Sequence, residues 1–83
     1  MLGGEVDIVL ETQKGFLAIE LKSSDRWDRR YNKGLKAFHS ELAEDSLRCL
    51  GVYLGKSRSI SDGIEVFPVL DFLRALWNEE III

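Results

Sequence analysis

The sequence predicts an α/β fold: a small mixed β-sheet of about four strands, opened by an antiparallel hairpin, with two helices. Three observations predict it. Two segments near the start alternate apolar and polar residues with the period of a strand, and a short glycine-containing turn joins them. A helix-spaced segment then leads to a run that is apolar on both faces, the pattern of a crossover into a covered parallel strand. The chain has 83 residues, 46% of them hydrophobic, so residues 1–83 are expected to form one small domain with a modest core.

The first strand reads Glu5-Val6-Asp7-Ile8-Val9-Leu10-Glu11 and the second Phe16-Leu17-Ala18-Ile19-Glu20-Leu21-Lys22, joined by Thr12-Gln13-Lys14-Gly15. Pairing about that turn sets Val6 against Leu21, Ile8 against Ile19 and Leu10 against Leu17, on one shared aliphatic face. A slip of one residue would turn one triplet to the wrong side, which fixes the register. A helix is expected over residues 28–45, with Asp28 as N-cap and Tyr31, Leu35, Phe38 and Leu42 on one face. Gly34 costs that helix roughly 1 kcal/mol relative to alanine and permits close approach to the sheet. The third strand, residues 48–54, is apolar on both faces, and the crossover into it is long enough for a parallel connection. Residues 55–61 read as a loop, Asp62-Gly63 as a turn, and residues 64–67 as a fourth strand. Pro68 suits the first turn of a last helix over residues 69–78, packed through Leu70, Leu73, Leu76 and Trp77. The closing Ile81-Ile82-Ile83 has three readings: packed, paired with a strand, or an exposed sticky end.

A net charge of −3 excludes a global attraction to nucleic acid. The distribution is less uniform. From Lys22 to Lys36 there are six cations and two acids, a local +4 that leaves −7 on the rest. Arg26, Arg29, Arg30 and Lys33, with Trp27 and Tyr31 among them, could follow a phosphate backbone and stack a base. The alternative is a solvated loop and helix start with both aromatics turned inward. The single Cys49 excludes an internal disulfide and fits a reducing cytoplasm, and its place in an apolar strand reads as an inert thiol. No signal-peptide pattern and no membrane-length apolar run is present, so no membrane partner is expected. Gly51-Val52-Tyr53-Leu54-Gly55-Lys56-Ser57 is not a phosphate loop, because its glycines stand one position too close and the first lies within a strand. His39, the only histidine, reads as a helix-flank residue.

The hairpin register also sets Asp7 directly opposite Glu20, and Glu5 opposite Lys22, away from the aliphatic face. Opposed carboxylates repel. Val9, Phe16 and Ala18 make that face half apolar, where an unpaired charge is costly. A divalent cation beside Lys22 would relieve both. The plainer reading is that any half-exposed antiparallel strand alternates in this way, and that these charges are the wet side.

The segment Gly4-Glu5-Val6-Asp7-Ile8-Val9-Leu10-Glu11, followed by Ala18-Ile19-Glu20-Leu21-Lys22-Ser23-Ser24, resembles the PD-(D/E)xK nuclease superfamily. It looks most like the nuclease-like domain at the C-terminus of a large prokaryotic family of AAA-type ATPases. The resemblance implies a truncated restriction-endonuclease-like core, with Asp7 and Glu20 as catalytic metal ligands and Lys22 orienting the attacking water. Mg²⁺, or Mn²⁺ in its place, prefers carboxylate oxygens and keeps several waters, so the Leu21 carbonyl is expected as a third ligand. That superfamily's core usually has a helix and a strand ahead of the Asp-bearing strand. Here only Met1-Leu2-Gly3-Gly4 precedes Glu5, so the strand of residues 5–11 is expected to keep a free edge and to self-associate, most simply as a two-fold dimer. Three functions stand as expectations. One is a metal-dependent nuclease, or a nucleic-acid-binding domain derived from one, as part of an AAA-type ATPase. Another is a non-catalytic module that docks or regulates an ATPase domain. The third is a plain α/β interaction domain.

Overall fold

The hairpin forms where the aliphatic pattern places it. In the computed structural model, which describes residues 6–42 and 47–81, β1 (Ile8–Thr12) pairs antiparallel with β2 (Gly15–Leu21). Ile8 stands opposite Ile19 and Leu10 opposite Leu17, as the register requires. Gly15 takes φ 132°, a conformation that L side chains rarely adopt, and Thr12 Oγ1 donates to its carbonyl at 2.9 Å. One expectation fails. The strand starts at Ile8: the chain bends at Asp7, so neither the Asp7–Glu20 nor the Val6–Leu21 ladder pair forms, and Val6 packs against the cluster on the opposite face that includes Ala18 and Leu35. Glu5, the expected partner of Lys22, lies outside the described residues.

A single 3-10 turn (Arg29–Tyr31) and α1 (Asn32–Leu42) carry the chain over to β3 (Leu47–Tyr53), which runs parallel to β2. Asp28 caps this entry: its Oδ1 accepts from the Arg30 amide at 2.9 Å. Leu35 and Phe38 of α1 are buried against the sheet, while the Leu42 side chain and the expected helix end at 45 lie outside the described residues.

The segment read as a loop over 55–61 ends in a further strand. β4 (Ser59–Ser61) pairs antiparallel with β5 (Ile64–Pro68), making a mixed five-stranded sheet of order β1-β2-β3-β5-β4. Asp62 and Gly63 both have positive φ, 51° and 81°, the conformation that two-residue hairpins favour. β5 runs parallel to β3, so β2, β3 and β5 end at the same rim.

α2 (Val69–Trp77) starts directly after Pro68. It packs through Phe72, Ala75 and Leu76. Leu76 was the one expected packing residue to do so; Leu70, Leu73 and Trp77 face outward and are 63%, 52% and 87% exposed. The helix closes with Glu79 at φ 59° and the Glu80 amide on the Ala75 carbonyl, which returns Ile81 to the core beside Leu17.

Two clusters fill the two faces. Leu17, Ile19, Leu50, Val52 and Phe67 pack with α2, and Ala18, Leu35, Phe38, Tyr53, Ile64 and Val66 pack on the α1 side. Each fully buried Leu or Phe among them contributes roughly 1.5–3 kcal/mol. Cys49 is half-buried on β3, and burial raises its thiol pKa, as an inert thiol requires. Among the described residues no helix is long and apolar enough to cross a membrane.

Candidate functional site

β2 carries the central acid. Strand alternation turns Glu20 to the same face as Ala18, where it is 3% exposed. Two residues on, Lys22 projects to that face as well, and its Nζ lies 3.0 Å from Glu20 Oε2. The Lys22 amide donates to the Val52 carbonyl, which anchors the residue to β3 just past the end of β2. Its ammonium also sits over the Tyr31 ring, 5.0 Å from the centroid.

The bend at Asp7 brings the second acid in. Leu21 has no backbone partner on β1, and Asp7 Oδ2 takes that role by accepting from the Leu21 amide at 2.8 Å. The Asp7 carboxylate is thereby fixed beside Glu20. Burial raises the Glu20 pKa most, the hydrogen bond to Lys22 opposes this, and the like charge of Asp7 adds to the rise. Glu20 Oε1 is buried with no hydrogen-bond partner among the described residues. Leu21 turns its amide, and with it its carbonyl, toward the same β1 edge. Among the described residues no group of three or more His, Cys, Asp or Glu side chains gathers at one point, so a cation here would have two carboxylates and a backbone carbonyl.

An aromatic and polar support lies behind Lys22. Tyr31 and Trp27 form a T-shaped pair with centroids 5.3 Å apart, and Trp27 and Tyr53 form another at 6.2 Å. The benzo ring of Trp27 lies against Gly51 of β3, where any Cβ would collide with the indole. Its Nε1 donates to Oδ1 of Asn32 at 2.8 Å. Asn32 is fully buried and donates in turn to Ser61 Oγ and Asp62 Oδ2 at 2.8 and 2.9 Å. Sequence reasoning missed Asn32 and Asp62 in this role. The Asp62-Gly63 turn signal was visible, but its contact with residue 32 is made by the fold.

The structure brings Asp7, Glu20, Leu21 and Lys22 together. It divides the expected basic strip. Arg29 pairs with Asp62 at 3.2 Å and Arg30 with Asp28 at 2.7 Å, while Arg26 and Lys33 are exposed with no ion pair among the described residues. Arg30 holds the Asp28 carboxyl down at about 2. Trp27 is half-buried and held by Gly51, Tyr31, Tyr53 and Asn32, in keeping with an aromatic turned inward. His39 is exposed on α1, in keeping with a helix-flank role.

No curated protein and no solved structure matches the chain. Residues 2–72 match the model of a family described as a domain of unknown function, DUF4143. That match spans β1 through the first half of α2, including every residue of the cluster just described, and the chain therefore belongs to the DUF4143 family.

Proposed function

We propose that this domain binds a hard divalent cation at Asp7 and Glu20 and acts on nucleic acid, as a nuclease or a nuclease-derived binding domain in an AAA-type ATPase. The observation that carries this reading is Glu20. It is a buried carboxylate beside a second carboxylate, with one oxygen that no described group satisfies. Lys22 meets Oε2, and the buried Oε1 that remains is costly unless a metal ion, a water or a proton meets it. Mg²⁺ or Mn²⁺ suits the donors, because a hard ion takes a few oxygen ligands and keeps waters in its other positions. Bound there, it would supply Lewis acidity at a phosphoryl oxygen. The chain's own residues divide the rest. Asp7 and Glu20 hold the ion, and the Leu21 carbonyl is the third donor. Lys22, fixed between Glu20 and Tyr31, orients the attacking water and offsets negative charge as it develops on the phosphate. Arg26 and Lys33 hold flanking phosphates.

Titration with Mg²⁺ and Mn²⁺ followed by NMR tests this. Millimolar Mg²⁺ should shift the Asp7 and Glu20 carboxyl carbons and the Leu21 amide, Mn²⁺ should broaden them, and Glu20→Gln should abolish both effects. No response at these residues overturns the reading. Cleavage lost in Lys22→Ala marks a nuclease, and binding without cleavage marks a derived binding domain.

A second reading, a non-catalytic module docked on an ATPase domain, is favoured by the outward stripe of Leu70, Leu73 and Trp77 on α2. Binding to an ATPase domain that survives Asp7→Ala and Glu20→Ala distinguishes it.

A further inference from the structure

We infer that β1 is a self-association edge, and that two copies pair across it antiparallel in one register, centred on Leu10. This does not depend on the metal site. β1 is an end strand of the sheet, and among the described residues no strand lies beyond it. Among the described residues nothing covers this edge: Ile8, Val9 and Leu10 are 37%, 44% and 37% exposed, and β1 holds neither proline nor lysine, its one charge being Glu11. The opposite edge strand, β4, has only three residues.

Backbone alternation identifies the free groups. The Lys22 amide bonds to β3, and the Leu21 amide is turned to the β1 side, where Asp7 accepts it. Ile19 and Leu17 therefore aim their backbone groups at β1, where they meet Ile8 and Leu10. The amides and carbonyls of Val9 and Glu11 then point outward, away from β2.

Charge selects the register. A two-fold axis perpendicular to the sheet keeps like faces together, so only three centres lie within reach of these free groups. Centred on Val9, Asp7 would oppose Glu11 of the second copy. Centred on Glu11, the two Glu11 side chains would meet. Both place like charges opposite one another. Centred on Leu10, Val9 opposes Glu11 of the second copy, and each such pair exchanges both N–H···O bonds. Leu10 meets its own counterpart at a non-hydrogen-bonded position, where side chains approach most closely, and Ile8 meets Thr12. The same axis puts both Asp7–Glu20 clusters on one face, about 20 Å apart along the strands at ~3.4 Å per residue.

Sedimentation of the whole 83-residue chain over a wide concentration range should show a monomer–dimer equilibrium. Val9→Pro removes one outward N–H per copy and none of the β1–β2 bonds, so it should weaken dimerisation about tenfold. In a Cys49→Ser background, Leu10→Cys should cross-link under mild oxidation well ahead of Gln13→Cys, since only position 10 faces itself within disulfide reach. A wild-type chain that stays monomeric overturns the inference, whether or not the variants fold. So does equal cross-linking at positions 10 and 13, or a folded Val9→Pro that dimerises as the wild type does.

Discussion

Glu20 is pulled in two directions, and the balance has a measurable sign. Burial and the neighbouring charge of Asp7 favour its neutral acid, Lys22 favours the carboxylate, and the net shift is upward from 4.5. The folded protein then holds this proton more tightly than the unfolded chain. Its stability contribution is therefore greatest at low pH and is lost as pH rises from 4.5 through the raised folded value. The melting temperature of wild type minus that of Glu20→Gln should fall as pH rises from 4.5 toward neutrality. At neutral pH, Mn²⁺ at a hundredfold excess over its Kd should return about 2.7 kcal/mol to wild type and nothing to the variant. Melts followed by circular dichroism check both, and a pH-independent difference would contradict the assignment. The nearness of Glu20 and Lys22 was legible because strand period fixes it locally, whereas Asp7, expected opposite Glu20 in the ladder, reaches it from a bend ahead of β1. The hydrogen bond from the Leu21 amide to Asp7 was not, because it depends on a bend that breaks the strand at residue 7.

Between elements, Asn32 is the joint that ties the start of α1 to the β4–β5 turn. It accepts from Trp27 and donates to Ser61 and Asp62, and Asp62 also receives Arg29. Asn32 and then Arg29 hold the Asp62 carboxyl below its usual range. Asn32→Ala would leave the Trp27 N–H without its acceptor in a buried place. It should cost about 1–3 kcal/mol in urea unfolding. The m-value should not change, because the same surface is exposed on unfolding. A neutral substitution would mean that water satisfies the indole and that the joint is dispensable. Reading α2 from sequence failed for a related reason. Val69, Leu70, Phe72, Leu73, Ala75, Leu76 and Trp77 are apolar nearly all round the helix, so periodicity admits more than one inward face. The face that packs is the one carrying Phe72, Ala75 and Leu76, beside the returning Ile81, and that placement is made by the fold outside the helix's own periodicity. β4 was more accessible: an Asp-Gly pair ahead of a strand signals a two-residue hairpin, which requires a strand before it as well.

At the scale of the whole molecule, the mixed sheet with its parallel crossover was legible because alternation marks the open hairpin and doubly apolar β3 marks a covered strand. Strand order beyond β3 was not, since β5 lies next to β3 with β4 outside it, and nothing local states that adjacency. The same long-range placement changes the charge argument. The sequence counts Arg26, Arg29, Arg30 and Lys33 as one strip, but the fold commits Arg29 to Asp62 and Arg30 to Asp28. Against a net charge of −3, only Arg26 and Lys33 of that strip remain to neutralise phosphates. Under the proposed nucleic-acid reading, affinity for a duplex should then fall with salt at a log–log slope of about −2, where four contacts would give nearly −4. Between 50 and 200 mM KCl this means a loss of about tenfold, against more than about a hundredfold for the full strip. Fluorescence anisotropy with a labelled duplex can read the difference. Arg26→Ala and Lys33→Ala should each flatten the slope by about one, and Arg30→Ala should leave it unchanged. If Arg30→Ala flattens it as much as the others, the Arg30–Asp28 pair opens on binding and the strip acts as one surface after all.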